Sequence, residues 1–178
     1  MRWVEKLLGL IAEGSDVLEL GCGGGGPATL RLAERNRLLG VDISPRQIER
    51  AQERVPGATF RCADATALEL EPDSFDAIVR LYMLGHVPRA EQASLLALMA
   101  SWLREGGYLL ATMGTANADD GVADDWLGAP MFFASFDEGE NGRMLAYAGF
   151  ELIEAKVIPV EEPGHGLVSF MWVLGRKS

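Results

Sequence analysis

The sequence is poor in the residues that build disulfide frameworks and metal centres. It has only two cysteines and two histidines in 178 residues, and Cys22 and Cys62 form no C-x-x-C pair. We therefore expect no disulfide and no bound metal, and few, unpaired cysteines are typical of a reducing, cytoplasmic setting. We interpret the four aspartates between residues 119 and 125 as part of a solvated loop, and a metal site is the alternative.

The sequence also lacks a long apolar run and a cluster of basic residues. Without about 18 consecutive apolar residues or a signal-peptide pattern, it predicts no membrane association and a cytoplasmic location. Its 16 basic and 26 acidic residues give a net charge of −10, which repels phosphate backbones and makes nucleic acid a poor partner. The length is that of one domain, spanning residues 1–178. The oligomeric state is left open by these observations.

Glycine, in contrast, is concentrated in one short stretch. Val17, Leu18 and Leu20 predict a strand buried on both faces, and residues 21–26 are almost entirely glycine. Glycine tolerates positive φ and has no Cβ, so a ligand can approach the backbone closely there. Pro27 then suits the first turn of a helix. The stretch predicts a strand, a tight turn and a helix arranged around a ligand.

The spacing of the glycines narrows the kind of ligand. Gly21, Gly23 and Gly26 match the G-x-G-x-x-G pattern of adenosine-type cofactor sites, and Asp42 lies about 20 residues further on, where a ribose-binding acid is expected. A tight turn with a purely structural role is the alternative. Glu19, just before the turn, would repel a pyrophosphate. This charge favours a cationic ligand over NAD, and an NAD-dependent oxidoreductase remains the enzymatic alternative.

Glu19-x-Gly21-x-Gly23-x-Gly25, placed after an apolar strand, resembles the first motif of class I S-adenosylmethionine-dependent methyltransferases. The resemblance runs from about residue 3 to the C-terminus. It implies a three-layer α/β fold with a doubly wound, mostly parallel seven-stranded sheet, an antiparallel last strand and the order 3-2-1-4-5-7-6. It also implies S-adenosylmethionine as cofactor, S-adenosylhomocysteine as product, and in-line methyl transfer to a small-molecule acceptor.

The resemblance assigns cofactor contacts residue by residue. It places Glu19 at the methionine amino group, Asp42 at the ribose hydroxyls and Asp64 at the adenine amino group, while a turn cap is the alternative for Asp64. Backbone carbonyls of Arg80 or Leu81 would also accept from the methionine amino group. The full set of predicted cofactor contacts is Glu19, Gly21, Cys22, Gly23, Asp42, Ile43, Asp64, Ala65, Arg80 and Leu81.

The candidate catalytic residues follow the fourth predicted strand. His86 is the only histidine near the predicted crevice, and an imidazole titrates near neutral pH, which suits a general base. Packing beside the cofactor is the alternative for His86, and Tyr82 is a second candidate helper. Because the sulfonium carbon is already activated, methyl transfer needs mainly the positioning of the acceptor. No acid, base or nucleophile is obligatory.

The acceptor site is predicted in the segment 114–136, which is long for a simple connection and is expected to be a functional loop. Trp126, Met131, Phe132 and Phe133 predict an apolar wall for a flat or greasy acceptor; the alternative is that they fill the core. Related methyltransferases carry Met-Tyr-Trp-Ser-His-Phe-Asp where this chain has an apolar version at 131–137. The motifs of amide or exocyclic-amine methylases and of metal-dependent O-methylases are absent.

The remaining chain predicts the expected alternation of elements. Helices are predicted at 2–13, 27–35, from about 45, at 89–104 and at 137–148. Strands are predicted at 17–20, 38–41, 59–62, 74–79 and 108–113, with a C-terminal hairpin of 151–158 and 167–175. Gly106 and Gly107 are expected to end the fourth helix, and His165 to lie exposed in the hairpin turn. Because little sequence precedes the first strand, an inactive cofactor-binding module or partner subunit is the non-enzymatic alternative.

Overall fold

Helices and strands alternate through most of the protein. The computed structural model describes residues 1–126, 128–162 and 166–178. The helices are α1 (Arg2–Leu8), α2 (Pro27–Ala33), α3 (Pro45–Arg54), α4 (Arg89–Trp102) and α5 (Glu138–Tyr147). The strands are β1 (Asp16–Leu20), β2 (Arg37–Asp42), β3 (Thr59–Cys62), β4 (Phe75–Arg80), β5 (Leu103–Met113), β6 (Ala118–Trp126), β7 (Ala129–Ser135), β8 (Phe150–Glu162) and β9 (Gly166–Lys177). Short 3-10 helices lie at Ala65–Ala67 and Leu84–His86.

Seven of the strands form one sheet in the order β3-β2-β1-β4-β5-β9-β8. The first five strands pair in parallel, and β9 pairs antiparallel with both β5 and β8. When β6 and β7, which pair only with each other, are left out of the numbering, this order is 3-2-1-4-5-7-6. The predicted fold class and strand order are therefore confirmed. The order reverses between β1 and β4, which opens a crevice at their carboxyl ends.

Alternate residues of the strands build a core on each face of the sheet. Leu18 packs in a cluster with residues of α4 and α5. Val17 packs in a second cluster with residues of α1 and α2. Both clusters bury side chains almost completely, as expected for parallel strands covered by helices on both faces. The strand ends are thereby held as a rigid platform for a site.

Two predicted helix ends are wrong. The first helix ends at Leu8 rather than at 13, and the chain continues from Gly9 into a turn in which the N–H groups of Leu10 and Ile11 both donate to the Leu7 carbonyl. The fourth helix ends at Trp102, where the buried Leu103 becomes extended and begins β5. Gly106, with a φ of 73°, therefore lies within a strand and does not stop a helix. A register irregularity between β4 and β5 accompanies it.

The segment 114–136 is not the long loop that the sequence predicted. Its two halves form the antiparallel hairpin β6–β7. Aspartate and glycine are depleted in strands, so the acidic half predicted a loop, and only pairing with the apolar β7 makes it a strand. In the part of the chain that the structure describes, no three acidic, histidine or cysteine side chains are arranged to hold a metal ion. No helix among the described residues is long and apolar enough to cross a membrane, and His165 lies outside those residues.

Candidate functional site

The glycine turn leads from the end of β1 into α2 through three left-handed residues. Gly21, Gly23 and Gly25 have φ of 73°, 54° and 73°. A Cβ on Gly21 would lie 2.8 Å from the side chain of Met83, and one on Gly25 would lie 3.1 Å from Ala51. A Cβ on Gly23 would meet nothing within 4 Å. The turn is thus packed at both ends and open at Gly23, where a ligand can reach the backbone.

Glu19 is a buried acid with an unused acceptor. Its side chain is 5% exposed, and burial raises its pKa to about 7, opposed in part by a hydrogen bond from the Thr29 side chain. Its Oε2 has no hydrogen-bond partner among the described residues. A buried carboxyl group with a free oxygen is a ready acceptor for an ammonium group. This fits the methionine amino group that the sequence assigned to Glu19.

Asp42, at the end of β2, is bonded directly to the glycine turn. Its Oδ2 accepts from the Gly23 N–H at 2.9 Å, and its Oδ1 accepts from the Ser44 N–H at 2.9 Å. A carboxylate offers about four acceptor positions, so two of them stay available for ribose hydroxyls. The next residue, Ile43, is 69% exposed and presents an apolar surface beside the carboxylate.

The remaining predicted cofactor contacts lie near the same edge of the sheet. Asp64 caps the first 3-10 helix, because its Oδ1 accepts from the N–H and Oγ1 of Thr66, both at 2.9 Å. Asp64 thus caps this helix through Oδ1, and its contact with the adenine amino group stays a prediction. Ala65 is buried, and Cys22 is a buried thiol whose pKa is raised to about 12, chiefly by burial, so it is inert. Strand register places Asp42 beside Cys62, two residues before Asp64.

A cavity of about 580 Å³ opens beside this edge, at the carboxyl ends of β4 and β5. It is lined by Tyr82, Leu84, Gly85, His86, Thr112, Met113, Gly114, Thr115, Ala116, Ala118, Phe133, Ala134, Ser135, Leu167, Val168, Ser169 and Phe170. Both candidate catalytic residues, Tyr82 and His86, therefore lie in one cavity. Glu19, Asp42 and Asp64 are not among its lining residues. The acids at the ends of β1 to β3 are thus separate from this mostly apolar cavity at the ends of β4 and β5.

Tyr82 lines this cavity and has an unusual backbone conformation. It has a φ of 57°, which non-glycine residues seldom adopt and which is often found at functional sites. Its backbone N–H donates to Thr112 Oγ1 at 2.6 Å, and its ring makes edge-on contacts with Phe170 and Trp172 at centroid distances of 4.9 and 5.8 Å. The ring is 44% exposed and forms one wall of the cavity.

His86 is oriented by the β6–β7 hairpin. Its Nδ1 lies 2.9 Å from the backbone carbonyl oxygen of Phe132, and its ring centroid lies 5.0 Å from that of Phe133. Because a carbonyl oxygen only accepts, Nδ1 must carry the hydrogen. In the neutral imidazole, Nε2 is then an acceptor, which is the form that a general base requires.

The hairpin is in turn fixed to the start of α4. The Arg89 N–H donates to Asp120 Oδ1 at 3.0 Å, and the guanidinium contacts Asp119 at 3.1 Å and lies 4.0 Å from the centre of the Phe136 ring. The buried Gln92 amide donates to the Val87 carbonyl at 2.9 Å and more weakly to carbonyls on both sides of the cavity. These contacts hold the hairpin over the cavity. No motif in the sequence had predicted them.

The four aromatic and methionine residues that were predicted to contact the acceptor lie in different surroundings in the structure. Phe133 lines the cavity. Phe132 contributes its backbone carbonyl to His86, Met131 is half-buried outside the lining, and the Trp126 side chain lies outside the described residues. Sequence reasoning missed Thr112 on β5 and Phe170 on β9, because only the pairing of these strands brings them to the site.

This combination of sheet order, glycine turn and acids at the strand ends defines a Rossmann-like methyltransferase. A model of the methyltransferase domain family matches residues 17–107. The chain belongs to this family, that of the class I S-adenosylmethionine-dependent methyltransferases, as the sequence predicted. Membership confirms S-adenosylmethionine as the predicted cofactor, and it disfavours both an NAD-dependent oxidoreductase and an inactive binding module.

Named relatives of this chain are longer than it is. It is 35% identical to 27-O-demethylrifamycin SV methyltransferase of Amycolatopsis mediterranei over 118 residues, which are 61% of this chain and 42% of the relative. It is 30% identical to the ubiquinone biosynthesis O-methyltransferase of Paracidovorax citrulli over 124 residues, 66% of this chain and 50% of the relative. The chain thus spans about half or less of these relatives.

Solved structures match nearly the whole chain. A methyltransferase from Methanosarcina mazei has a TM-score of 0.84 at 20% identity, covering 97% of this chain and 96% of that one. The 1,6-didemethyltoxoflavin-N1-methyltransferase of Burkholderia thailandensis, solved with its acceptor and S-adenosylhomocysteine, has a TM-score of 0.76 at 18% identity, covering 99% and 77%. At such identities the likeness establishes the fold.

Proposed function

We propose that this protein transfers the methyl group of S-adenosylmethionine to a hydroxyl group of an apolar small molecule bound in the 580 Å³ cavity. The observation that carries the proposal is the orientation of His86, whose Nδ1 is 2.9 Å from the Phe132 carbonyl oxygen and whose ring borders the cavity. The cavity and the row of acids beside it provide separate places for acceptor and cofactor.

The residues at the ends of β1 and β2 fit the cofactor. Glu19 presents a buried, unpartnered oxygen to an ammonium group, and the open backbone at Gly23 accommodates the close approach of the methionine part. Asp42 keeps acceptor positions for ribose hydroxyls while holding the turn in place. We assign these three contacts to the cofactor, with the exposed Ile43 covering one face of the adenine.

The cavity favours an uncharged, apolar acceptor. Its walls include the rings of Tyr82, Phe133 and Phe170, and no lysine or arginine is among its described lining residues. An anionic acceptor would therefore lack a counter-ion there. Two relatives have names that specify O-methylation, which supports a hydroxyl group as the atom methylated. Thr112 and Ser169 are polar groups of the lining that can orient it.

The chemistry required of the chain is positioning and proton removal. When bound, S-adenosylmethionine supplies a methyl group on a positively charged sulfur. The aromatic walls would hold the acceptor hydroxyl in place, and Nε2 of His86 would accept its proton as the oxygen–carbon bond forms and the sulfur–carbon bond breaks, which leaves S-adenosylhomocysteine as the neutral product. The Phe132 carbonyl then stabilises the resulting imidazolium through the Nδ1–H hydrogen bond.

The proposal is tested by measuring S-adenosylhomocysteine released from S-adenosylmethionine with a panel of acceptors. Phenols and hydroquinones of increasing apolar size form one arm, and N-heterocycles and small carboxylic acids form two control arms. Turnover confined to the hydroxyl arm, and lost in His86→Ala, is the expected result. Turnover confined to a control arm would replace the acceptor assignment, and hydroxyl turnover unaffected by His86→Ala would leave His86 with a packing role.

A further inference from the structure

Gln92, near the start of α4, is a polar side chain buried in the protein core. It is 1% exposed, and it is not among the described lining residues of the cavity. Glutamine is mostly a surface residue, and burial of its amide is unfavourable unless the amide is hydrogen-bonded. The proposed function gives Gln92 no role in contacting cofactor or acceptor. The reason for its burial therefore lies in the groups that it bonds.

The Gln92 amide nitrogen bonds backbone carbonyls from two separate segments of the chain. It donates to Val87 at 2.9 Å and to Leu84 at 3.3 Å, and it also donates to Ala134 of β7 at 3.4 Å. Because carbonyl oxygens only accept, the nitrogen and not the oxygen of the amide must face all three. The three partner residues are themselves almost fully buried, so solvent is not in a position to replace the amide as their donor.

The two segments that the amide joins also meet at His86. The turn 84–87 contains His86, and β7 contains Phe132, whose carbonyl oxygen lies 2.9 Å from His86 Nδ1. The turn belongs to neither sheet of the described structure, so no ladder of backbone hydrogen bonds fixes it against β7 there. The Gln92 amide bonds both segments through one planar group and thereby fixes their relative position.

Resting on the proposed function, we propose that Gln92 is a positioning residue for the His86 base. By holding the turn 84–87 against β7, it keeps Nδ1 bonded to the Phe132 carbonyl, and this bond leaves Nε2 as the acceptor of the hydroxyl proton. Without the amide, three buried carbonyls lose a donor and the turn is free to shift relative to β7. A displacement of about 1 Å lowers a rate by about 100-fold when it misaligns reacting groups.

The kinetic test compares the unsubstituted protein with Gln92→Met, which keeps the length of the side chain and removes the donor. With the phenol or hydroquinone that is methylated fastest, kcat is expected to fall about 10- to 100-fold, while acceptor KM and S-adenosylhomocysteine affinity stay within about threefold. Asn36→Leu is the matched control, because it removes an amide that donates to the Leu32 carbonyl at 3.0 Å, away from the cavity. It should leave kcat unchanged.

A second readout reports the state of His86 directly and needs no acceptor. The chain has two histidines, so nitrogen NMR of isotope-labelled imidazoles, with His86→Ala to assign the signals, identifies the ring nitrogen that carries the hydrogen. At about pH 9, where an ordinary imidazole is neutral, the Nδ1–H form of His86 should predominate in the ligand-free unsubstituted protein and in Asn36→Leu. It should lose this predominance in Gln92→Met. A change that only lowers stability, as in Asn36→Leu, should not alter this ratio.

Gln92→Asn keeps the test decisive if Gln92→Met does not fold. It retains an amide but withdraws it by one methylene group from the carbonyls that it bonds. The Nδ1–H form of His86 should lose its predominance in this variant as well. An unchanged ratio of the two tautomers in either folded variant would overturn the positioning role.

The two readouts also distinguish failure of this inference from failure of the proposed function. Predominance of the Nε2–H form in the unsubstituted protein, or an equal loss of kcat in Gln92→Met and Asn36→Leu, would overturn the positioning role while methylation of the hydroxyl acceptor stands. Absence of turnover with every hydroxyl acceptor would overturn the proposed function. A tautomer ratio that depends on Gln92 would then still show that Gln92 orients His86.

Discussion

The backbone N–H of Tyr82 donates a 2.6 Å hydrogen bond to the hydroxyl of Thr112 on the neighbouring strand. This bond joins the chain leaving β4 to the end of β5, at the point where Tyr82 has a φ of 57°. Thr112 is almost fully buried. The bond therefore stabilises a strained conformation that places the tyrosine at the wall of the cavity.

Removal of the Thr112 hydroxyl, which accepts this hydrogen bond, should destabilise the protein. Thr112→Val keeps the shape of the side chain but leaves the Tyr82 N–H without its hydroxyl partner, so we expect a loss of about 1–2 kcal/mol in the free energy of unfolding. Thr112→Ser keeps the hydroxyl and is the matched control. Urea denaturation of the three proteins measures the effect, and unchanged stability in Thr112→Val would contradict the contribution of this hydrogen bond.

Glu19 should make the stability of the ligand-free protein depend on pH. Burial raises the pKa of Glu19 in the folded protein to about 7, above the ordinary value of 4.5, so the unfolded chain releases this proton first as the pH rises. Stability is then greatest below about pH 4.5 and is lost up to pH 7, by about 3 kcal/mol from this group. Glu19→Gln should lack this component. Urea denaturation of both proteins at pH 5 and pH 7.5 measures it, and parallel pH dependences would contradict the burial of an ionisable group here.

Asp42 should contribute to cofactor affinity in two ways. Asp42→Ala removes the proposed ribose contacts and also the hydrogen bond that fixes Gly23. We expect binding of S-adenosylhomocysteine to weaken by about 1–3 kcal/mol, or roughly 5- to 150-fold. Asp42→Asn keeps one carbonyl oxygen for the turn and should lose less. Calorimetric titration of the folded variants with S-adenosylhomocysteine measures these affinities. An unchanged affinity in Asp42→Ala would show that the ribose does not bind Asp42.

His86 should affect turnover without affecting the cofactor. For a general base, His86→Ala is expected to lower kcat about 100-fold or more while S-adenosylhomocysteine affinity stays within about twofold. Steady-state kinetics and calorimetric titration of the two proteins measure these quantities. Full turnover in His86→Ala would leave His86 with only a packing role, in its tilted ring contact with Phe133.

Arg89 should act on the acceptor site through the hairpin. Its contacts with Asp119 and the ring of Phe136 hold β6–β7 over the cavity. The Asp119 pair is partly solvated and contributes little to stability by itself. We therefore expect Arg89→Ala to raise the acceptor KM several-fold and to speed hydrogen exchange in residues 117–126, with unfolding midpoint and cofactor affinity nearly unchanged. A raised KM without faster exchange would point to a role other than holding the hairpin.

The glycine turn and the acids beside it were predictable because their signals are local. Glu19 and the glycines lie within a few residues of each other, and the carboxyl ends of parallel strands meet at one edge. The wrong prediction that Gly106 ends the fourth helix has a physical cause as well. A glycine with positive φ is equally compatible with the end of a helix and with an irregularity in a strand. The secondary structure of the segment 114–136 depended on strand pairing between its two halves, which composition alone does not reveal.

By itself, the sequence determined the family, because Glu19 and the glycine turn form a motif of neighbouring residues, and the resemblance carried by that motif implied the order of the sheet. The tertiary structure alone decided the cavity at the ends of β4 and β5, the orientation of His86 by the Phe132 carbonyl and the hydrogen bond between the Tyr82 N–H and Thr112. These features depend on which distant segments pack together, because burial and hydrogen-bond partners are properties of the folded arrangement.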